Sequence, residues 1–335
     1  MKTSDFDYDL PEELIAHNPV SPRDHSRLFV YDTKSDQVFH HSFFEIAKFI
    51  DKNDLLVVNR SRVIPARITF DQNKEIFVLK NVSGARWRVM VRPGKFFEIG
   101  RMVTLSDDVS FLVKEVLDDG SRIIDVEGDL LSLGRTPLPP YIKCSLASAD
   151  AYQTVYARES GSVAAPTAGL HFTDSLISEI EGLGAKFAEV VLHVGRGTFL
   201  PVTSEELAKH VMHEEQYMID EDNSRILNAA LAEGRRIVAV GTTSVRVLES
   251  AFNDGYHPGV SSTDIFIYPG VHNWKVVDAL LTNFHLPKST LLMLLAGFLE
   301  RKGVENPVAK CRELYELAIR GKYRFYSFGD AMFII

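Results

Sequence analysis

The chain has 335 residues, enough for two domains or for one large domain that carries an insertion. Its composition, 45% hydrophobic and 24% charged, is that of a soluble globular protein, and its longest apolar run, Leu291 to Leu299, falls far short of the roughly 20 residues of a membrane span. Two cysteines and an N-terminus without an apolar signal region indicate a cytoplasmic protein without a cysteine-based metal framework.

Charge is distributed unevenly along the chain. The net charge is −8, yet residues 60–101 contain ten Lys or Arg and three Asp or Glu, so this segment carries +7 and the remainder −15. Seven of the ten cations are arginine, whose planar fork matches phosphate oxygens. The pattern predicts local phosphate binding, and a solvated basic strand surface is the alternative.

The first part of the chain changes from helical to strand patterns. A short helical pattern at Phe43–Ile50 precedes an apolar strand at Asp54–Asn59. From about residue 61 to 142, short strands separated by turn signals predict a small closed β-barrel. These strands are Arg62–Phe70, Glu75–Asn81, Trp87–Val91, Met102–Leu105, Ser110–Leu117 and Arg122–Val126.

After residue 150, helices and strands alternate, which predicts an α/β layer with a parallel or mixed sheet. The predicted helices are Thr173–Gly182, Asn223–Glu233, Thr243–Phe252, Thr290–Arg301 and Pro307–Arg320. The predicted strands are Phe187–Val194, Arg236–Val240, Asp264–Tyr268, Val276–Thr282 and Ala331–Ile335. The predicted architecture is an α/β domain (1–60 plus 150–335), interrupted by a basic β-barrel domain (61–149).

Four loops of the α/β part are rich in Gly, Thr, Ser, His and Arg and contain few apolar residues. They are Ala157–Phe172, Leu192–Phe199, Val240–Arg246 and Leu281–Thr290. Glycines allow a backbone to approach a ligand closely, and the helix start at Thr242–Thr243 favours an anion. The structural alternatives are a flexible linker for the first loop, a turn with a packed His193 for the second and simple helix capping by a threonine for the third. Together, at the ends of one sheet, they predict a ligand pocket.

Proton-transfer candidates lie in or beside these loops, but their spacing does not choose among them. They are His171, His193, His213, His285, Glu159, Glu214, Glu215 and Asp264.

The chain resembles the S-adenosylmethionine:tRNA ribosyltransferase-isomerase family of queuosine biosynthesis, end to end and in order. The motifs that carry the resemblance are Phe6–Ala16, Ser26–Leu28, Val63–Arg67, Pro137–Ile142, Tyr152–Ala157, Gly161–Thr173, Leu192–Gly195, Gly197–Phe199, Ala239–Arg246, Leu280–Thr290 and Tyr323–Met332. Two departures are visible. Asn59-Arg60-Ser61 stands where the family usually has Asn-Asp-Thr, and Met212-His213-Glu214-Glu215 where it usually has Met-His-Ser-Glu.

The resemblance implies that the ribosyl group of S-adenosylmethionine is transferred and isomerised onto 7-aminomethyl-7-deazaguanine at the tRNA wobble position. The product is epoxyqueuosine-tRNA, and adenine and methionine leave. S-adenosylmethionine is then the ribosyl-donor substrate, tRNA carrying the modified wobble base is the partner, no metal is required, and a monomer is expected.

On loop position and residue type, His171 and His193 are the expected catalytic acid or base. The expected S-adenosylmethionine-binding residues are Thr167, Gly169, Gly195, Arg196, Gly197, Thr242, Thr243, Arg246, Asn283 and His285. The expected RNA-binding residues are Arg60, Arg62, Arg67, Arg86, Arg88 and Arg92. Two rival functions are an RNA methyltransferase, which should show an early Gly-rich cofactor loop, and a non-catalytic RNA-binding module, which would leave the four polar loops unexplained.

Overall fold

A computed structural model describes residues 1–71, 73–139, 141–142, 149–195, 202 and 204–335. The strands are β1 (Arg27–Asp32), β2 (Gln37–Ser42), β3 (Asp54–Asn59), β4 (Ser61–Val63), β5 (Arg67–Phe70), β6 (Lys74–Ser83), β7 (Arg86–Arg92), β8 (Met102–Thr104), β9 (Ser110–Val116), β10 (Arg122–Glu127), β11 (Glu159–Ser162), β12 (Lys186–Leu192), β13 (Glu215–Ile219), β14 (Arg236–Val240), β15 (Gly259–Thr263), β16 (Ala279–Asn283) and β17 (Ala331–Ile334). The α-helices are α1 (Asp174–Gly182), α2 (Glu221–Ala232), α3 (Thr242–Ala251), α4 (Thr290–Arg301) and α5 (Pro307–Arg320). Several 3₁₀ turns connect them, among them Phe43–Phe49 and Thr167–His171.

The large sheet is mixed, in the order β15-β13-β12-β3-β14-β16-β17-β1-β2. Its centre, β12-β3-β14-β16, is parallel, whereas β13, β15, β17 and β2 each make antiparallel pairings. Both faces are covered: α2 to α5 pack on one face, and α1 with the Phe43–Phe49 turn packs on the other. Every residue of β3 is buried, as a central strand between two layers requires. The predicted mixed α/β sheet is confirmed.

The helices begin and end close to their predicted residues. Thr173 caps α1, because its hydroxyl accepts a hydrogen bond from the Leu176 N–H at 3.2 Å. In α4, all residues from Leu292 to Leu299 are buried between the sheet and α5. Within the described ranges, no helix combines the length and the apolar character that crossing a bilayer demands.

The second sheet is antiparallel, in the order β5-β6-β7-β10-β9-β8. It curls around its own hydrophobic core, whose largest members are Phe77, Phe97 and Phe111. In the described part of the chain, its two end strands, β5 and β8, do not pair with each other. The predicted closed barrel is therefore not confirmed, and the observed form is an open, curled half-barrel.

Two predicted strands differ from the observed ones. The stretch Arg62–Phe70 is interrupted at Pro65, which has no N–H to give to a ladder, so β4 pairs with β11 and only β5 joins the half-barrel. Asp264–Tyr268 is not a strand, since the edge strand lies just before it at Gly259–Thr263. That strand escaped prediction because its side chains, apart from Thr263, are exposed and its sequence lacks apolar alternation.

Candidate active site

Four polar segments meet at one edge of the large sheet. The parallel strands β3, β12, β14 and β16 all end there, followed by Arg60, His193, Gly241 and Phe284 respectively. Chain segments that leave the carboxyl ends of parallel strands lie side by side, and this is where α/β sheets bind ligands. The strand β11 and the 3₁₀ turn Thr167–His171 pack against the same edge.

The small-residue run predicted to face a ligand packs on the other segments. Gly161 has a φ of +145°, and a Cβ placed on it would lie 2.7 Å from Cε1 of the His193 ring. Further along the run, the Ala168 methyl lies in van der Waals distance of a Cβ built on Gly241. The absence of bulk in this run lets β11 and the 3₁₀ turn approach His193 and the start of α3 directly.

His171 lies at the centre of a buried hydrogen-bond chain. Asn283 Nδ2 donates to its Nε2 at 3.2 Å, so the neutral ring carries its proton on Nδ1, which donates to Ser26 Oγ at 2.7 Å. Thr167 Oγ1 in turn donates to Asn283 Oδ1 at 2.8 Å. The ring stacks on Phe43, with centroids 4.9 Å apart. Burial lowers the pKa of His171 to about 4, which keeps it neutral at physiological pH.

His193 has a different environment. Its side chain is half-buried, and its Nδ1 has no hydrogen-bond partner among the described residues. Burial lowers the pKa of its imidazole from the ordinary value, whereas the negative charge of Glu159 acts in the opposite direction. This Nδ1 atom is itself buried, because the backbone of Gly161 packs against the ring.

A cavity of about 410 Å³ lies beside the start of α3. Thr242, Thr243 and Arg246 contribute its polar wall, and Phe266 and Leu294 belong to its apolar wall. Further lining residues are Ser204, Lys209, His210, Val211, Met212, His213, Glu215, Ile265, Ile267, Thr290 and Leu291. Its volume lies in the usual range for small-molecule sites.

The threonines at the start of α3 do not cap the helix, contrary to the capping alternative. The N-cap is Gly241, with a φ of +88°, and no side chain caps the first turn. The Thr243 hydroxyl is buried and has no hydrogen-bond partner in the part of the chain that the structure describes. A buried hydroxyl without a protein partner requires another one, such as a water molecule or a ligand.

A buried ion pair connects two of these segments to β13. The Arg246 guanidinium bonds a Glu215 carboxylate oxygen, and the other oxygen accepts the Gly195 N–H at 2.9 Å. Arg246 also donates to the Thr263 carbonyl at 3.4 Å. Both side chains are less than a tenth exposed, so the pair fixes the end of β12 against α3 and the start of β13.

The remaining predicted ligand residues have diverse positions. Gly169 is required by Tyr156, whose hydroxyl occupies the space where a Cβ would stand. The His285 ring is buried and bonds Thr282 at 2.9 Å, and burial lowers its pKa to about 3. Arg196 and Gly197 lie outside the described residues. Glu214 bonds Ser262 on β15, while its neighbour Glu215 faces the cavity.

The six predicted RNA-binding arginines differ in exposure and in ion pairing. Arg60 is only 8% exposed and is paired with Asp220 and Glu189. Arg86 and Arg88 pair with Asp125 and Asp119. Arg62, Arg67 and Arg92 are exposed, and of these Arg67 has an ion pair, to Glu75 at 3.6 Å.

The folded half-barrel is less basic than residues 60–101 alone. The following residues, 102–139, contain three Lys or Arg and eight Asp or Glu. Because β10 pairs with β7, Asp125 lies directly opposite Arg86.

No three His, Cys, Asp or Glu side chains within the described ranges approach closely enough to share a metal ion.

Comparison with known proteins shows the family to which the chain belongs. A family model described as queuosine biosynthesis protein matches residues 3–334. The chain belongs to this family. One relative, the S-adenosylmethionine:tRNA ribosyltransferase-isomerase of Carboxydothermus hydrogenoformans, is 48% identical over 348 residues, with both chains covered completely. The enzyme of the same name from Thermotoga maritima is 47% identical over 344 residues, again with complete coverage of both.

A solved structure agrees with this membership. The crystal structure of the S-adenosylmethionine tRNA ribosyltransferase of Thermotoga maritima matches 99% of this chain and 100% of its own, with a TM-score of 0.57 and 38% identity over the structural alignment. The resemblance noted in the sequence is thus confirmed at the level of the queuosine biosynthesis family and its transferase-isomerase enzymes.

Several residues of the site were not selected from sequence. Ser26 is 145 positions from His171, and Tyr156 was seen only as part of a family motif. Glu215 was one of eight proton-transfer candidates, with nothing in the sequence to show that it binds Arg246. His210 and Phe266, whose rings lie 5.2 Å apart at the cavity, had no signal at all.

Proposed function

We propose that this queuosine-family enzyme transfers and isomerises the ribosyl group of S-adenosylmethionine onto 7-aminomethyl-7-deazaguanine at the wobble position of tRNA. The product is epoxyqueuosine-tRNA, and adenine and methionine are released. The observation that carries the proposal is the cavity of about 410 Å³, which is lined by Thr243, with its unsatisfied hydroxyl, and by the buried Arg246. Glu215 joins Arg246 to Gly195, two positions after His193. Family membership supports this reaction, and the cavity has a volume suited to its smaller substrate.

The two walls of the cavity fit the two halves of S-adenosylmethionine. The positive end of α3, the Thr243 hydroxyl and Arg246 suit the methionine carboxylate. Phe266 and Leu294 suit the flat, largely apolar adenine. Glu215 holds the Arg246 guanidinium in place, so little reorganisation is needed when the carboxylate arrives.

The chemistry requires one proton transfer at carbon and one at a leaving nitrogen. A base removes a proton from C5′, which the adjacent sulfonium acidifies, and the C–H electron pair forms a C4′–C5′ double bond as the C4′–O4′ bond breaks. The oxygen pair forms a carbonyl at C1′, and adenine departs with the C1′–N9 pair and takes up a proton. The RNA amine then adds to C4′ and loses a proton, C5′ closes on C1′, and the resulting oxyanion displaces methionine.

His193 is the proposed base. Its ring is half-buried at the edge of the sheet, and its lowered pKa keeps it neutral and able to accept a proton at pH 7. Once protonated, the same ring can deliver the proton to adenine. His171 has both nitrogens bonded to protein groups, which favours a positioning role through Asn283 and Thr167.

The glycines and His285 complete the proposed site. The Gly195 N–H donates a hydrogen bond to Glu215, and the absence of a Cβ at Gly169 leaves room for the Tyr156 hydroxyl. The hydrogen bond between His285 and Thr282 holds the segment that follows β16. Arg196 and Gly197 are proposed on sequence position alone.

We further propose that residues 61–149 act as an inserted unit that holds the RNA. The half-barrel has its own core, and the exposed Arg62, Arg67 and Arg92 lie on β4, β5 and β7 respectively. Arg60, Arg86 and Arg88 are already neutralised by carboxylates and are expected to contribute less.

The products separate this reaction from its rivals. The purified chain is incubated with S-adenosylmethionine and tRNA that carries 7-aminomethyl-7-deazaguanine, and the small molecules are quantified. Adenine and methionine in equal amounts support the proposal. S-adenosylhomocysteine would indicate a methyltransferase, and no turnover despite RNA binding would indicate a binding module; either result contradicts the proposal.

A further inference from the structure

Two arginines lie directly opposite each other at the edge of the half-barrel. The Arg67 N–H donates to the Arg135 carbonyl at 3.1 Å, and the Arg135 N–H donates to the Arg67 carbonyl at 2.8 Å. Gly134 makes this possible, because any Cβ there would overlap with the carbonyl oxygen of Pro65. Residues that exchange both backbone bonds project their side chains from the same face, so the two arginine side chains start next to each other.

The charge at this place is only partly compensated. Arg135 is exposed and has no ion pair within the described ranges, and Arg67 contacts one carboxylate, Glu75, at 3.6 Å from its Nε. Like charges directly opposite on paired strands repel each other and destabilise the pairing. An anion between the two guanidinium groups would convert this repulsion into two charge-assisted hydrogen-bonding interactions.

The pair is connected by a short path to the candidate site. Arg62, on β4, lies opposite Ser160 of β11, whose next residue is Gly161, against the His193 ring. Arg67 is five positions after Arg62, so their α-carbons are at most about 18 Å apart. A few nucleotides of RNA span such a distance. A nucleotide reacting near His193 would therefore have neighbouring phosphates within reach of Arg67 and Arg135.

We propose that Arg67 and Arg135 together bind a backbone phosphate of the RNA, close to the nucleotide that is modified. This inference rests on the proposed function, which makes RNA the larger substrate. Arg86, on the same sheet, is the natural contrast, since Asp125 already occupies its guanidinium with bonds of 2.7 and 3.1 Å. The site is defined by unpaired charge rather than by the number of arginines.

The test compares R67Q, R135Q and the double variant with R86Q as the matched control. Binding of substrate tRNA is measured at several salt concentrations, together with KM and kcat. Loss of a charge-assisted phosphate contact should weaken tRNA binding about tenfold in the double variant. The slope of log affinity against log salt should fall by about one. KM for tRNA should rise while kcat and S-adenosylmethionine affinity stay unchanged.

Three results would overturn the inference. They are an unchanged affinity and salt slope in the double variant, an equal loss in R86Q, or a loss of S-adenosylmethionine affinity that signals general damage to the fold. The inference would also be contradicted if free inorganic phosphate competed with tRNA to the same extent in the wild type and in the double variant. Failure of the wild type to release adenine would refute the proposed function instead, since tRNA binding is measured without turnover.

Discussion

The α-carbon of Gly161 faces the imidazole ring of His193, and a Cβ at this position would lie 2.7, 2.9 and 3.0 Å from three of the ring atoms. These contacts join two segments that are 32 positions apart, since Gly161 lies on β11, which pairs with β4, and His193 follows β12. The glycine thereby defines where the ring can stand. The position of the proposed base depends on a residue that has no side chain.

Replacement of Gly161 by alanine should therefore impair activity more than stability. The new methyl group displaces the His193 ring, and the φ of +145° is strained for any L-residue. We expect at least a tenfold fall in kcat with a loss of about 1–2 kcal/mol in unfolding free energy. The matched control is Gly182→Ala at the end of α1, where nothing lies within 4 Å, and it should leave kcat unchanged. A fully active Gly161→Ala enzyme would refute the required contact.

Substitutions of the two histidines should have different signatures. His193→Ala is expected to lower kcat by about 10²–10⁴-fold with little change in S-adenosylmethionine affinity, since it removes a proton acceptor. His171→Ala should instead weaken substrate binding and lower the unfolding free energy, because Asn283 and Ser26 lose their buried partner. Steady-state adenine release and thermal unfolding of both variants decide the matter. Equal activity of wild type and His193→Ala would exclude the residue as base.

The stability of the protein should fall as the pH decreases from about 6.5 to about 4. In this range the unfolded chain protonates His171, whereas the folded protein keeps it neutral because burial lowers its pKa to about 4. The corresponding loss is about 3 kcal/mol, and His285 adds a loss of the same sign. Denaturant unfolding should show a shallower pH dependence for His171→Gln than for the wild type. The exposed His257 provides the control, since His257→Gln should leave the slope unchanged.

Removal of the Thr243 hydroxyl should affect ligand binding without affecting the fold. Thr243→Val keeps the shape of the side chain and deletes an oxygen that bonds nothing in the described part of the chain. Unfolding free energy should stay the same or rise, while S-adenosylmethionine affinity falls about fivefold to tenfold. Thr263→Val is the matched control: its hydroxyl bonds Ser250 and the Ile265 N–H, so this change should cost about 1–2 kcal/mol of stability. Calorimetric titration with S-adenosylmethionine measures the difference, and equal affinities would contradict a ligand role for Thr243.

Hydrophobic periodicity and turn signals were sufficient to predict the α/β layer and to predict that its polar segments lie close together. The ends of β12, β14 and β16 could be predicted because apolar strands feed directly into Gly- and Thr-rich loops. Contacts between distant residues could not, since His171 meets Ser26 only after the sheet has formed. The pairing of charges on the half-barrel could not be predicted for the same reason. Asp125 neutralises Arg86 through strand pairing that no local pattern reveals.

The fate of two labels tests the central proposal most directly. S-adenosylmethionine labelled in its ribosyl carbons, or separately in its methyl group, is incubated with the enzyme and tRNA carrying 7-aminomethyl-7-deazaguanine. The ribosyl label should enter the tRNA in step with adenine release, while the methyl label should leave with methionine. Methyl label in the tRNA, or adenine release without ribosyl label in the tRNA, would contradict it.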